Sequence, residues 1–581
     1  MLYHVNNDMM ARKVSMDVGD EQYMRFQRQN IAKYAIVTMW ILTMFVSVKS
    51  IFTDFGIDNA YQVAMSYRHL NGDRMLSQMW EPHQFSILFN DILMALYRLA
   101  VPSLAGVAIF LQICGTALFY GLSILLYRTL RGVVDFLTAN LACMFLVLFR
   151  AKQTPFPEFS NLEIACSVLI FCSVMAFLKK EEEGKKSVLL ILAALFVFLQ
   201  TLSYPTCLFS AVVVVVVLLL KSKDKLRNCL VFGCVLAMMG CSVVAYFVIS
   251  MGLDQVFYCL KNIYLSDTHS VTRAFGAYWP GFLFALAGLV SSILIGFLLK
   301  FCLGRYLGIL KKFSCYVICA AVALLIEIIM LIFQRRTGID WNCCFFIIPS
   351  VMILLGMLAY TKMDANEKTM WLVGLSLSMV SFLATSLLTD LGLITILAYF
   401  VLGGIVSMIP IRHLCSDYRW FLTLILLIVI SHRALVVWGY GNTGNQVFLT
   451  YEVQSIIHHG PAMGIVCDRD TANQSRLDQE AFGQFVREKE KLFVVGPDYF
   501  DSIFFLYGDI QVCNYSTIDT PYYNECLEAY LDMNPQKVPM VVAVARWYQG
   551  EPRVAKDSWI MQWVERQYTV AGESDYWFFY R

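Results

Sequence analysis

Charged residues are scarce in this chain of 581 residues. Only 15% of the residues are Asp, Glu, Lys or Arg, whereas 58% are hydrophobic, and the mean hydropathy is +0.61. The core of a soluble domain does not need that much apolar surface. The composition therefore excludes an ordinary soluble enzyme and indicates a polytopic α-helical membrane protein.

The sequence also lacks the motifs of several common chemistries. It has no C-x-x-C pair, no His/Cys cluster with zinc spacing and no Walker loop. Most of its 18 cysteines lie within apolar segments, for example Cys166 and Cys234, where they act as small hydrophobic residues. Neither structural zinc nor a conventional nucleotide site is therefore expected.

Long apolar runs recur along the chain. About thirteen of them approach the roughly 20 residues that cross the hydrocarbon layer of a membrane. They are centred approximately on 31–50, 103–127, 133–149, 162–178, 187–202, 206–220, 229–250, 280–300, 313–333, 343–360, 370–388, 391–410 and 420–438. Residues 1–30 contain several cations, but no small-residue cleavage site follows the first run, so we expect a retained cytoplasmic segment and not a signal peptide.

The distribution of lysine and arginine predicts the topology. Cations concentrate in cytoplasmic loops, and they recur here in alternate connections, at 128–131, 179–186, 221–227, 305–312, 362–368 and 412–419. With a cytoplasmic N-terminus, an odd number of spans places the first loop, the connection 251–279 and the tail after Tyr440 on the extracytoplasmic side. We expect a multi-pass protein of the cell membrane (plasma or inner membrane), with residues 31–440 as its membrane domain.

Residues 441–581 have a different composition, in which short apolar runs alternate with amphipathic stretches. This βαβα pattern predicts a separate extracytoplasmic α/β domain that caps the membrane part or guides an acceptor. The predicted strands are 463–467, 491–495, 510–513, 539–545 and 568–580. The predicted helices lie near 446–458, 473–488, 499–507, 521–533 and 558–566.

The first extracytoplasmic loop, within residues 51–100, is rich in acids. Asp54 and Asp58 are four residues apart and share a face if the segment is helical, although helix-capping aspartates in a solvated loop explain the pattern equally well. Glu81 and His83 flank a proline, so either can carry a proton or both can contribute to a divalent metal site; an interfacial anchor beside Trp80 is the alternative. The sequence does not decide whether a metal is required.

Basic residues on the same predicted face are candidates for binding a phosphate leaving group. They are Lys261, His269 and Arg273 in the connection 251–279 and Arg335 and Arg336 at the end of the ninth run. Fixed positive charge is needed where negative charge develops, although snorkelling or loop solvation also explains such residues. Glu327 lies inside the same run, where an ionisable group is unfavourable and indicates either a function or an ion pair.

Three short elements of the first loop resemble those of a known protein superfamily. The elements Asp58-Asn59-Ala60-Tyr61, Gly72-Asp73 and Glu81-Pro82-His83 follow the first span, and this arrangement resembles the membrane glycosyltransferases of the GT-C superfamily. Within that group the loop looks most like the bacterial dolichyl-phosphate-mannose-protein mannosyltransferase and aminoarabinose-transferase type. The resemblance is specific over roughly the first hundred residues and generic beyond them.

The resemblance implies transfer of a sugar from a polyprenyl-phosphate carrier, with inversion, to an extracytoplasmic glycan, lipid or protein acceptor in cell-envelope glycosylation. Asp58 matches the loop aspartate that acts as the base or positions the acceptor. Many members have Asp-Glu where this chain has Asp58-Asn59, so Asp54 or Glu81 would have to supply any second carboxylate. The alternative function is a transporter or flippase of a lipid-linked saccharide; no nucleic-acid partner is expected.

Overall fold

The computed structural model of the protein describes residues 33–53, 55–150, 154–181, 187–264, 279–337, 342–388, 396–439, 455–487, 490–496, 511–512 and 523–581. Up to residue 439 the described segments are almost entirely helical, and after residue 455 they form a small α/β region. The predicted N-terminal segment 1–30 and the predicted boundary between residues 440 and 441 lie outside the described residues.

The helical part begins with α1, Lys33–Ile51. The helices that follow are α2 Ile57–Leu70, α3 Leu88–Ala100, α4 Val107–Leu130, α5 Phe136–Leu148, α6 Phe159–Glu181, α7 Ser187–Ser203, α8 Ser210–Lys221, α9 Lys225–Met251, α10 Leu253–Tyr264, α11 Trp279–Cys302, α12 Gly308–Lys312, α13 Cys315–Thr337, α14 Asn342–Leu358, α15 Ala365–Leu388, α16 Val401–Ile411 and α17 Tyr418–Gly439.

Seven of the helices in the described ranges, α1, α4, α6, α9, α11, α15 and α17, are long and apolar enough to cross a membrane, and shorter apolar helices lie in α5, α7, α8, α13, α14 and α16. Each predicted apolar run corresponds to one of these helices. The protein is therefore a multi-pass membrane protein, while the number of crossings stays a prediction.

Local sequence sets several helix ends. Asp135 begins α5 because its carboxylate accepts hydrogen bonds from the backbone amides of Leu137 (3.1 Å) and Thr138 (3.4 Å). Between α7 and α8 the backbone is interrupted at Pro205, which begins a short 3₁₀ helix, Pro205–Phe209. Proline disfavours helical backbone in the residue before it, so the predicted pair of short spans divides there.

The α/β region contains a five-stranded mixed sheet. Its strands are β3 Lys491–Val495, β4 Gln511–Val512, β5 Val541–Ala545, β6 Val570–Glu573 and β7 Trp577–Tyr580, in the order β4-β3-β5-β7-β6. Strand β3 is parallel to both β4 and β5, and the pairs β5/β7 and β7/β6 are antiparallel. The described helices of this region are α18 Arg469–Phe485, α19 Tyr523–Met533 and α20 Trp559–Gln567.

Two predictions for this region are wrong in detail. The predicted strand 568–580 is an antiparallel hairpin of β6 and β7, because the polar residues 574–576 turn the chain. Part of the predicted helix 446–458 is strand: β1, Ser455–Ile456, pairs with β2, Val466–Cys467. The rest of that helix and the predicted helix 499–507 lie outside the described residues.

The sheet is covered on both faces. Alternate side chains of β3 and β5 point in opposite directions, so Leu492 and Val541 pack with α18, whereas Phe493 and Val542 pack with α19 and α20. The core on the α18 side also includes buried residues of α2 and of the start of α4. The α/β region is therefore packed directly against the first loop of the membrane part.

Backbone hydrogen bonds join the same two regions. The amides of Gly106 and Ala108 donate to the carbonyl oxygens of Gly460 and Pro461, each at 3.0 Å. The amide of Val466 donates to the carbonyl of Phe52 at 2.8 Å, immediately after α1. These contacts place the α/β region and the first loop at one end of the helix bundle.

Candidate functional site

Asp58, the predicted base, lies in the first turn of α2, shortly after α1 ends at Ile51. The preceding Gly56 is extended (φ −72°, ψ 176°), so the chain leaves the first span and turns directly into the helix. Asp58 is half-buried, and a carboxylate at this position is stabilised by the helix dipole. Asp54, the predicted companion acid, lies outside the described residues.

The start of α2 is anchored to the loop between α5 and α6. The side-chain amide of the buried Asn59 donates to the hydroxyl of Thr154 at 3.0 Å. This loop also packs closely on α4, since a Cβ at Gly115 would overlap the carbonyl oxygen of Pro155. Asn59, the residue where this chain departs from the Asp-Glu of the resembling family, therefore positions the helix that carries Asp58.

Glu158, which the sequence analysis missed, ends the same loop. Its side chain is completely buried and caps α6, accepting from the amides of Ser160 (2.7 Å) and Asn161 (2.8 Å). The signal was present in the sequence as a Pro-Glu pair directly before an apolar helix. Two carboxylates, Asp58 and Glu158, thus mark the starts of two helices that meet at the Asn59 to Thr154 contact.

Glu81 belongs to a buried cluster of charged side chains. Its carboxylate accepts hydrogen bonds from Arg68 Nη1 and from the hydroxyl of Tyr61, both at 3.2 Å. Arg68 Nε also donates to Asp73 Oδ2 at 2.9 Å. Burial opposes the charge of Arg68, but the carboxylates of Asp73 and Glu81 raise its pKa above the ordinary value.

The α/β region completes this cluster from the other end of the chain. Lys537 forms an ion pair with Asp73, and the Tyr530 hydroxyl donates to the carbonyl of Gln78 at 2.9 Å. Asn534 donates to the carbonyl of Ser77 at 2.8 Å. We call Arg68, Asp73, Glu81, Tyr530 and Lys537 the loop cluster. It joins the first loop to the α/β region.

His83 contacts the end of α7 and the start of α6. Its Nδ1 lies 3.2 Å from the carbonyl oxygen of Ser203, and its ring stacks on Phe159 with centroids 3.9 Å apart. The metal site in which Glu81 and His83 act together stays a prediction. In the part of the chain that the structure describes, no group of three or more His, Cys, Asp and Glu side chains is arranged to hold a metal ion.

The predicted phosphate-binding residues are only partly described. Lys261 lies on α10 and is exposed. His269 and Arg273 lie outside the described residues. Arg335 and Arg336 belong to the last turn of α13, and Glu327 lies near the middle of that helix. Their roles stay predictions.

Three further buried ionisable residues were not predicted. Glu163 of α6 is completely buried and accepts hydrogen bonds from Ser381 (2.5 Å) and Gln200 (2.7 Å). Arg150 follows α5, and Arg433 lies within α17; these residues are 3% and 5% exposed. An ionisable residue inside an apolar helix or at its end can be recognised in the sequence as a functional candidate. Glu163, Arg150 and Arg433 are all residues of this kind.

Solved structures similar to this chain come from an archaeal and a bacterial source. The oligosaccharyltransferase of Archaeoglobus fulgidus, tethered with an acceptor peptide containing the NVT sequon, is 11% identical with a TM-score of 0.44, and the match covers 87% of this chain and 69% of that chain. The same archaeal enzyme, AglB, in complex with an inhibitory peptide and a dolichol-phosphate, is 11% identical with a TM-score of 0.43, covering 88% and 69%.

ArnT from Cupriavidus metallidurans in the apo state is 12% identical with a TM-score of 0.38, covering 94% of this chain and 98% of that chain. AglB and ArnT are both GT-C glycosyltransferases, the superfamily that the first loop resembles. No protein-family model matches the chain, and no curated protein does. At identities and scores this low, the similarities assign neither a family nor a reaction to this chain.

Proposed function

We propose that the protein is an inverting glycosyltransferase that moves a sugar from a polyprenyl-phosphate carrier to an extracytoplasmic acceptor. The observation that carries the proposal is the position of Asp58, a half-buried carboxylate in the first turn of α2, next to the end of the first span. A lipid-linked donor must react at the membrane boundary because its phosphate stays attached to the lipid. A base at that boundary meets this requirement.

In the proposed reaction Asp58 takes the proton of an acceptor hydroxyl. The acceptor oxygen attacks the anomeric carbon from the side opposite the phosphate, and the bond between that carbon and the phosphate oxygen breaks. The lipid phosphate leaves with the electron pair, and inversion follows from the single displacement. Fixed cations stabilise the departing phosphate. The residues proposed for this role from the sequence are Lys261, His269, Arg273, Arg335 and Arg336. The second-line candidates for an acid or a base are Asp54, Glu81 and His83.

Sugar transfer by the purified protein in lipid nanodiscs tests the proposal. The assay supplies a panel of radiolabelled polyprenyl-phosphate sugars and extracted cell-envelope acceptors. Asp58→Asn should lower transfer by roughly 10²- to 10⁴-fold, the range of general-base catalysis. Asp254→Asn is the matched control, since Asp254 is an exposed acid in the first turn of α10. Undiminished transfer by Asp58→Asn would remove Asp58 from the reaction, and chelation in the same assay tests for a divalent metal.

A transporter or flippase of a lipid-linked saccharide is the second candidate function. Glu163 favours it, because carboxylates buried among transmembrane helices are typical of transport pathways, and the interruption at Pro205 divides the neighbouring helices α7 and α8. In sealed vesicles, movement of a labelled lipid-linked sugar without transfer to any acceptor, lost in Glu163→Gln, would support this function over the first.

A further inference from the structure

Arg150 is a buried cation with unused hydrogen-bonding groups. Its Nε donates to the carbonyl of Val147 at 3.1 Å, and its guanidinium lies 5.5 Å from the centroid of the Phe119 ring. Within the described ranges no carboxylate forms an ion pair with Arg150, and its terminal amino groups donate no hydrogen bond. The side chain is 3% exposed.

Two buried hydroxyls lie beside this guanidinium. The hydroxyl oxygen of Tyr120, on α4, is close to both Ser47 of α1 and Arg150. Apart from each other, the oxygens of Ser47 and Tyr120 are buried without a hydrogen-bond partner among the described residues, and so are those of Thr43 on α1 and Thr116 on α4. The described groups that meet here are all able to donate hydrogen bonds.

Arg433 brings a second guanidinium to the same segment of chain. Its Nε donates to the carbonyl of Leu148 at 2.8 Å, and its Nη2 donates to the carbonyl of Arg150 at 3.3 Å. These bonds tie α17 to the end of α5 and hold the backbone at Arg150 in place. The site is thus built from α1, α4, the end of α5 and α17.

The chemistry of these groups favours an anion. A buried donor without an acceptor destabilises the fold, and a buried unpaired charge does so more strongly. Such groups in a native protein mark a bound molecule that the protein atoms alone do not include. A guanidinium with adjacent hydroxyls offers several donors to one group of oxygens, as phosphate recognition requires.

The surroundings of the site favour an anion that belongs to a lipid. Ser47 lies one helical turn, about 6 Å, before the end of α1 at Ile51, and the helix that carries Asp58 follows that end. Its neighbours Phe45 and Val48 are 62% and 47% exposed on the outer face of α1. An acyl or prenyl chain can therefore lie along α1 while its head group reaches between α1 and α4.

We propose that Arg150, Tyr120 and Ser47 bind the phosphate group of a lipid at the extracytoplasmic end of the first span. The lipid is either the polyprenyl-phosphate carrier, a choice that rests on the proposed function, or a phospholipid of the membrane. Its residues differ from Lys261, His269, Arg273, Arg335 and Arg336, which the sequence suggested for a phosphate group.

Ligand-dependent thermal stability of the purified full-length protein in a neutral detergent tests the site. The probes are undecaprenyl phosphate, undecaprenol, phosphatidylglycerol and inorganic phosphate. Undecaprenyl phosphate should raise the Tm in a saturable way, and undecaprenol should not. Arg150→Met should weaken the apparent affinity roughly ten- to a hundredfold, and Tyr120→Phe several-fold, as expected for hydrogen bonds to a charged group.

The control is Ser123→Ala on the same helix, because the Ser123 hydroxyl already donates to the carbonyl of Tyr120 at 2.7 Å; it should leave the affinity unchanged. If Arg150→Met does not fold, Arg150→Lys keeps the charge but removes the fork of donors and should still weaken binding. Equal binding of phosphatidylglycerol would support the site with a membrane phospholipid as its ligand. Equal binding of inorganic phosphate would overturn the lipid assignment.

Undiminished binding by both Arg150→Met and Tyr120→Phe, or no Tm shift with any probe, would overturn the site and leave bound water as the explanation of its unused donors. The outcome is separable from that of the proposed function. Asp58→Asn should bind undecaprenyl phosphate as the wild type does, so a failure of sugar transfer with intact lipid binding concerns Asp58 alone.

Discussion

Arg68 and Arg150 are both buried arginines near the same end of the membrane part, and their surroundings differ. Arg68 pairs with two carboxylates, Asp73 at 2.9 Å and Glu81 at 3.2 Å. Arg150 has backbone and aromatic contacts and no carboxylate partner among the described residues. The charge of Arg68 is balanced within the chain, whereas the surroundings of Arg150 are the basis of the proposed lipid-phosphate site.

The largest expected effect comes from breaking the paired arginine. Arg68→Met removes the guanidinium that pairs with both Asp73 and Glu81 in a buried site, and removing one partner of a buried ion pair costs about 3–5 kcal/mol. The free energy of unfolding in mixed micelles should fall by about that much. Arg150→Met, measured in the absence of added lipid, should cost less than about 1 kcal/mol, because it also removes an uncompensated charge. Equal losses in the two variants would contradict the distinction between them.

A buried acid in the α/β region extends the comparison of buried ionisable groups to a carboxylate. Asp478 of α18 accepts a hydrogen bond from Trp577 Nε1 at 2.7 Å, and burial raises its pKa to about 7. The folded state therefore holds this proton more tightly than the unfolded state. The contribution to stability is fully present below pH 4 and is lost as the pH rises through about 7. A rise from 3.8 to about 7 corresponds to roughly 4 kcal/mol at most.

Asp478→Asn keeps an oxygen for Trp577 and removes the titration. The variant should therefore be more stable than the wild type at pH 8 and similar to it at pH 4. Thermal unfolding of the α/β region, followed by tryptophan fluorescence between these two pH values, measures the difference. A wild type and a variant with parallel pH profiles would show that Asp478 titrates normally.

The sequence predicted the helical part of this molecule better than its ionic contacts. Apolar runs identify a membrane helix by local composition alone, and each predicted run corresponds to a helix. The pairing of Asp73 with Lys537 joins residues 464 positions apart, and no local pattern reports it. Glu81 was a catalytic candidate because of its polar neighbours in sequence. Its neighbours in space, Arg68 and Tyr61, come from α2, and no local pattern reports them; its catalytic role stays a prediction.

The site around Arg150 was missed for a related reason. An arginine at the end of an apolar run resembles a snorkelling residue, and only its burial and its three-dimensional contact with Phe119 show that it turns inward. Ser47 and Thr43 were ordinary members of an apolar segment in sequence. Their missing partners became a signal only when α1 and α4 were placed side by side.

A smaller effect is expected where one member of a pair comes from the α/β region. Lys537→Met removes one of the two cations beside Asp73 but leaves Arg68 in place, so the loss should be about 1–2 kcal/mol, in the range of a hydrogen bond to a charged group. A double-mutant cycle with Asp73→Asn isolates the coupling between the two regions. Independent, additive effects would mean that the ion pair does not join them in solution.

The smallest effect is expected at a pair that is partly exposed. His69 Nδ1 lies 2.7 Å from Asp91 Oδ2, and the His69 side chain is 33% exposed. The hydrogen bond to Asp91 raises the pKa of His69, so the folded state binds the proton more tightly. The stability from this pair is complete below the ordinary histidine pKa of 6.5 and is lost as the pH rises through the higher folded value.

His69→Gln should therefore lower the Tm at pH 5.5 and have almost no effect at pH 9. Its effect should be smaller than that of Lys537→Met, because solvent screens a pair at the surface. Asp91→Asn is the matched change on the other partner and should give the same pH dependence. If His69→Gln lowered the Tm equally at both pH values, the ring would stabilise the protein through packing between α2 and α3. The contact between His69 and Asp91 would then act as an uncharged contact, unlike the ion pairs of the loop cluster.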